Sequence, residues 1–112
     1  MKKFELLINS TATGIYILLA DTFFEKLIGF MFAKKADYGI LFLKCRSIHT
    51  FFMKFNIDAV FLDSKNRVVK TIKNINPRKI ILPVKYAANI LELPSGILDT
   101  SSIRHGDLLT FD

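Results

Sequence analysis

The sequence predicts a mainly β fold of the α+β type: a small single-domain β-barrel, residues 1–112, with one capping helix near residues 22–32. Three observations lead there. Many short apolar runs of strand length are separated by polar, Gly or Pro breaks. Only one stretch carries helical spacing. And 51% of the 112 residues are hydrophobic, an apolar set too large for one sheet face but right for one core.

In chain order, Phe4–Ile8 and Ile15–Leu19 are apolar runs split by Asn9, Ser10 and Gly14, which reads as a hairpin. Thr22 and Glu25 then have capping-box spacing, each side chain able to satisfy amides at a helix start. Phe24, Leu27, Ile28 and Met31 follow at intervals that form one apolar face, so this helix is expected to lie on a hydrophobic surface. Beyond Gly39 the period becomes that of strands: Ile40–Leu43, Ser47–Met53, Ile57–Leu62 and Arg67–Ile72. Asp63 to Asn66 is a turn signal. Asn76-Pro77 and Pro83 mark a loop with room for one short edge strand. Tyr86–Leu93 is a further strand, Pro94-Ser95-Gly96 turns the chain, and Gly106-Asp107 leads into a closing strand over 108–111.

Composition narrows the function classes. The single cysteine, Cys45, excludes an internal disulfide and fits a reducing compartment. Four-ligand structural zinc would need more Cys or His than this chain has without carboxylate help, so no metal or cofactor is expected. The N-terminus has two lysines, but Glu5, Asn9 and Ser10 interrupt its apolar stretch. No run approaches the roughly eighteen apolar residues of a membrane span, and the expected location is cytoplasmic. The net charge of +6 comes from scattered residues, mostly lysines, without interleaved aromatics; nucleic acid is therefore not the expected partner. Phenylalanine supplies most of the aromatic content, which suits a dry core.

The motifs "ADT" at 20–22, "GFMF" at 29–32, "LF" at 41–42, "IHTFFMKFNIDAVFLD" at 48–63, "VVK" at 68–70, "LELPSG" at 91–96 and "IRHGD" at 103–107 occur in one order. This pattern resembles the DUF192 family, also called UPF0127, across nearly the whole chain. Phe30 stands where leucine is common in the family, and Ser95 where alanine is common. The resemblance implies a compact β-rich barrel with one helix and no settled activity. Some relatives carry secretion signals or sit near pilus and secretion genes, which implies at most an accessory role in a cell-envelope or secretion process.

The candidate site centres on His49. If Met53 and Ile57 flank a turn, His49, Phe51, Met53, Ile57, Ala59 and Phe61 share one hairpin face. Thr50, Phe52, Asp58, Val60 and Leu62 share the other, a register that one residue in the turn would shift. His49 and Asp58 then diverge, while Thr50 and Asp58 could hydrogen-bond. A buried large apolar side chain contributes about 1.5–3 kcal/mol, and an unsatisfied polar group costs about 1–3 kcal/mol. A core histidine is therefore easily sustained, and the functional alternative makes His49 the polar floor of an apolar pocket. Asp58 begins a buried strand, either capping strand-end amides or anchoring a ligand. Glu92, between Leu91 and Leu93, is expected to point to solvent unless its strand lines a barrel mouth. Arg78 lies in the irregular loop and could clamp an anion. Cys45 between Lys44 and Arg46 could favour a thiolate, but four extended residues place it about 13 Å from His49. No paired catalytic constellation, phosphate loop or serine elbow is present.

These features favour a non-enzymatic module binding a small molecule, peptide or protein through His49, Thr50, Asp58 and Glu92, with Arg78 peripheral. The alternative is an acid–base hydrolase or lyase using His49 with a carboxylate. The oligomeric state is left open.

Overall fold

A computed structural model describes residues 1–112. Alternating side chains and β-branched runs give nine strands: β1 Lys3–Ile8, β2 Thr11–Ala20, β3 Gly39–Phe42, β4 Ile48–His49, β5 Ile57–Leu62, β6 Val68–Ile75, β7 Ile80–Ile81, β8 Asn89–Pro94 and β9 Leu109–Phe111. The one α-helix, α1, spans Phe23–Ile28, and a single 3₁₀ turn covers Thr100–Ser102. Seven strands form one sheet in the order β6-β5-β8-β3-β2-β1-β9, and β4 pairs with β7 in a separate two-stranded ribbon. All pairs in the large sheet are antiparallel except β2 with β3.

The large sheet curls into a half-barrel whose two outer strands approach each other. An isolated bridge joins Arg67 to Leu108, and backbone bonds Val68 N–H to Asp107 O (2.9 Å) and Leu109 N–H to Asn66 O (3.0 Å) extend it. The predicted fold class is therefore the observed one.

Two hydrophobic cores flank the central strands. The inner face packs Leu6, Ile17, Leu41, Val60, Leu91 and Leu109 in the concavity of the sheet. The outer face of β3, β5 and β8 carries Ile40, Phe42, Ala59, Phe61 and Ile90, covered by Phe30, Ile48 and Met53 from the connecting segments. Every residue of β3 and β5 is consequently buried.

Several sequence expectations change at this level. The helix stops at Ile28 because Gly29, at φ +45°, turns the chain away; only glycine adopts such backbone without strain. No α1 residue is buried, and Phe23 is 82% exposed. The helix does not cover the core with Leu27 or Met31 as the spacing suggested. Phe30, just past its end, does so instead, packing edge-on against Phe55 at 5.4 Å and tilted against Tyr38 at 5.6 Å. The capping box itself forms: Thr22 Oγ1 accepts from Glu25 N–H at 3.1 Å, and Glu25 Oε1 accepts from Thr22 N–H at 3.2 Å.

The expected hairpin of residues 47–62 does not form. Only Ile48 and His49 are strand, and they pair with Ile81 and Ile80. β5 pairs with β6 and β8 instead, along Ile57–Leu62. Phe52, at φ +64°, helps break the strand early.

Candidate functional site

Position along β8 decides the character of Glu92. Ile90 belongs to the outer core, while Leu91 and Leu93 belong to the inner one. Alternation therefore sends Glu92 to the outer face, beside its register partners Ile40 and Ala59. That face is covered, so Glu92 is 2% exposed rather than solvated. Alternation in the sequence locates a face, but not whether other chain segments cover it.

A cavity of about 70 Å³ lies against this carboxyl. The sheet contributes Phe42 and Glu92 to its lining; α1 and its exit contribute Lys26, Leu27, Gly29 and Met31. Cys45, His49 and Met53 complete the opposite wall. Glu92 Oε1 has no hydrogen-bond partner there. Burial pushes the carboxyl pKa from 4.5 up to about 8, so at neutral pH the group is mostly the uncharged acid. In that form it offers one O–H donor and a carbonyl acceptor.

His49 is half-buried at the wall. Its Nδ1 accepts from Phe51 N–H at 3.2 Å, and its ring stacks at a tilt on Phe51 with centroids 5.7 Å apart. This acceptor role assigns the proton of the neutral ring to Nε2. No hydrogen bond joins His49 to Glu92 or to Asp58.

Cys45 lines the same cavity as His49, but its thiol donates to Ser47 O at 3.1 Å and makes no hydrogen bond to the ring. Its environment also works against the thiolate that the flanking Lys44 and Arg46 could have favoured. Burial raises the thiol pKa above 9.0, the Ser47 backbone opposes this, nearby Glu92 adds to the rise, and Lys26 counters it. Lys44 and Arg46 are exposed and not among these influences.

The structure places the other candidates elsewhere. Asp58, 3% exposed, lies on the inner face with Val60 and Leu62. Its Oδ1 accepts from Asn74 N–H (2.9 Å) and Ser95 Oγ (2.9 Å), and its Oδ2 from Thr100 Oγ1 (2.8 Å). Ser95 thus supplies one of the three hydrogen bonds that Asp58 accepts. Thr50 is fully buried but does not meet Asp58. Its hydroxyl donates to Asn76 O (2.7 Å) and accepts from Lys79 N–H (2.8 Å), pinning the loop before β7. Arg78 in that loop is exposed; its backbone N–H donates to Thr50 O at 3.1 Å. Of the five candidates, only His49 and Glu92 line one cavity, while Thr50 and Arg78 meet through their backbones.

The exposed phenylalanines correct the dry-core expectation. Phe23, Phe24, Phe32, Phe51 and Phe52 are all exposed, and Phe32 and Phe52 stack with centroids 5.6 Å apart. Both hold left-handed backbone, at φ +68° and +64°, a conformation rarely adopted by bulky residues and often found at functional sites. Each follows or precedes a methionine of the cavity wall, Met31 or Met53.

The DUF192 family model, Uncharacterized ACR, matches residues 6–111. The chain belongs to the DUF192 (UPF0127) family. It is 34% identical over 116 residues to the UPF0127 protein of Thermococcus sibiricus, covering 96% of this chain and 75% of that protein. It is 38% identical over 97 residues to the Pyrococcus horikoshii UPF0127 protein, covering 81% and 83% respectively. The crystal structure of a "putative transcription regulator" from Sinorhizobium meliloti superposes with a TM-score of 0.83 at 19% identity, covering 98% of this chain and 94% of that one. That likeness shows a shared fold. No helix of this DUF192 chain is long and apolar enough to cross a membrane.

Proposed function

We propose that this DUF192 domain is a non-enzymatic binding module whose ligand site is the Glu92 cavity. One observation carries the reading: Glu92 lines a cavity otherwise walled mainly by apolar side chains, and one oxygen of its buried carboxyl has no hydrogen-bond partner. An unmade hydrogen bond costs about 1–3 kcal/mol in a folded protein, and a ligand that supplies it recovers that amount on binding. An apolar pocket with a few polar groups is the usual form of a small-molecule site. Exposed Phe51 and Phe52 beside the wall residues His49 and Met53 supply apolar contact for the remainder of such a ligand. Thr50, Asp58 and Arg78 act in this reading as framework.

The test is a fragment screen read by the backbone amide signals of Cys45, His49 and Glu92. Saturable shifts confined to these and their neighbours support the module. Binding fragments that move other surfaces only would place the site elsewhere.

The acid–base reading keeps one observation in its favour: His49 and Glu92 line the same cavity. It requires a hydrolytic or lyase activity that His49→Ala abolishes. The absence of a His49–carboxylate hydrogen bond ranks it second, because a base is ordinarily oriented by such a partner.

A further inference from the structure

We propose that the Glu92 cavity binds a small aliphatic primary amide, with the carboxamide against Glu92 and the aliphatic body against the apolar lining residues Leu27, Met31 and Met53. The inference rests on the pocket reading above and names the ligand class.

Size comes first. A cavity of about 70 Å³ is less than half the roughly 150 Å³ that accepts a benzene ring, so it admits a head group on the order of four heavy atoms. Charge comes next. An ammonium group would force Glu92 to ionise and form a buried ion pair, whose attraction barely repays the desolvation of both charges. Lys26 at the same wall would also repel it; its charge already reaches Cys45. A carboxylate would lie against Phe42, Ile48 and Met53 with one lysine to offset its desolvation. A neutral group avoids both costs.

Hydrogen-bond complementarity then selects among neutral groups. The uncharged carboxyl presents a donor and an acceptor side by side in one plane. A primary amide presents the same pair reversed, so Glu92 O–H donates to the amide carbonyl and an amide N–H donates to Glu92 Oε. An alcohol can make both bonds only through one oxygen, and an alkane makes neither. Ionisation of Glu92 removes the donor, so amide affinity falls as pH rises past about 8. The other titratable groups facing the carboxyl across the cavity are Lys26 on α1, Cys45 after β3 and His49 on β4.

Methionine methyl NMR of the intact chain tests this, because Met31 and Met53 line the cavity while Met1 does not. Propionamide, propylamine and propionate are titrated separately near pH 6.5 and pH 9. Propionamide is expected to shift Met31 and Met53 saturably, with affinity about tenfold weaker at the higher pH. Glu92→Gln, which keeps a donor and an acceptor, should retain amide binding and lose the pH dependence; Glu92→Leu should lose the binding. Stronger shifts from propylamine or propionate would overturn the amide assignment while leaving the pocket reading intact. So would loss of propionamide binding in a folded Glu92→Gln protein. If no probe moves Met31 and Met53, the pocket and the amide fall together.

Discussion

Replacing Glu92 with glutamine should change how the stability of this domain depends on pH. The unfolded chain releases the Glu92 proton near the ordinary value of 4.5, whereas the folded chain holds it to about 8. Between these values the folded state binds one more proton than the unfolded state, so stability falls as pH rises. Each tenfold change in proton affinity is worth about 1.4 kcal/mol. From this group alone the folded domain therefore loses about 5 kcal/mol between pH 4.5 and pH 8, and less where water entering the cavity solvates the anion. The full stability benefit is present below 4.5 and is gone above 8. A typical domain is stable by only about 5–15 kcal/mol, so the loss is large. Glu92→Gln cannot ionise and keeps similar shape. Its unfolding free energy in urea should match that of the parent chain near pH 4.5 and exceed it by several kcal/mol near pH 9. Parallel curves for the two proteins across that range would refute the desolvation argument and place Glu92 in contact with water.

Other substitutions test the remaining framework. Asp58→Ala removes the acceptor of Asn74 N–H, Ser95 Oγ and Thr100 Oγ1 in one step. Of the three donors only Thr100 is buried; at about 1–3 kcal/mol for a stranded buried group, urea unfolding should show a loss of about that size, whereas a loss below about 1 kcal/mol would contradict the network. Gly39→Ala sets a new Cβ 2.6 Å from Leu93 Cδ2 and 2.7 Å from Ile17 Cδ1. Overpacking of that kind costs about 1–3 kcal/mol, so an unchanged melting temperature would count against the tight β2–β3–β8 packing. Cys45, with its thiol pKa raised by burial, should react with iodoacetamide more slowly than a free cysteine near pH 8; equal or faster labelling would mean an accessible thiolate.

Local signals in the sequence located the local structure. Thr22 and Glu25 form the capping box that their spacing announces, since both partners lie within one turn. Asn9 and Ser10 turn the first hairpin with φ of +48° and +69°. Asp63 Oδ1 accepts from Lys65 N–H (2.8 Å) and Arg67 N–H (3.0 Å) in the turn between β5 and β6. The short strand β7 falls in the loop where one edge strand had room. The ordered motifs sufficed for the family, and the run of short apolar segments for a curled β sheet.

Partner choice between distant segments was decided only by the tertiary structure. Residues 47–53 and 57–62 look like a hairpin by proximity, yet β5 pairs on both edges with the distant strands β6 and β8. Connecting segments cover the outer face of β8 and turn Glu92 from an expected surface residue into a buried acid. One sequence signal did point there, a lone charge inside the apolar run Ile90–Leu93, though alternation read by itself assigned that charge to solvent. The apolar pattern thus located the central strands β3, β5 and β8, whose apolar residues are all buried. Which groups meet around them, and so why Glu92, His49 and Cys45 share one cavity, depended on how the chain closes over both faces of its central strands.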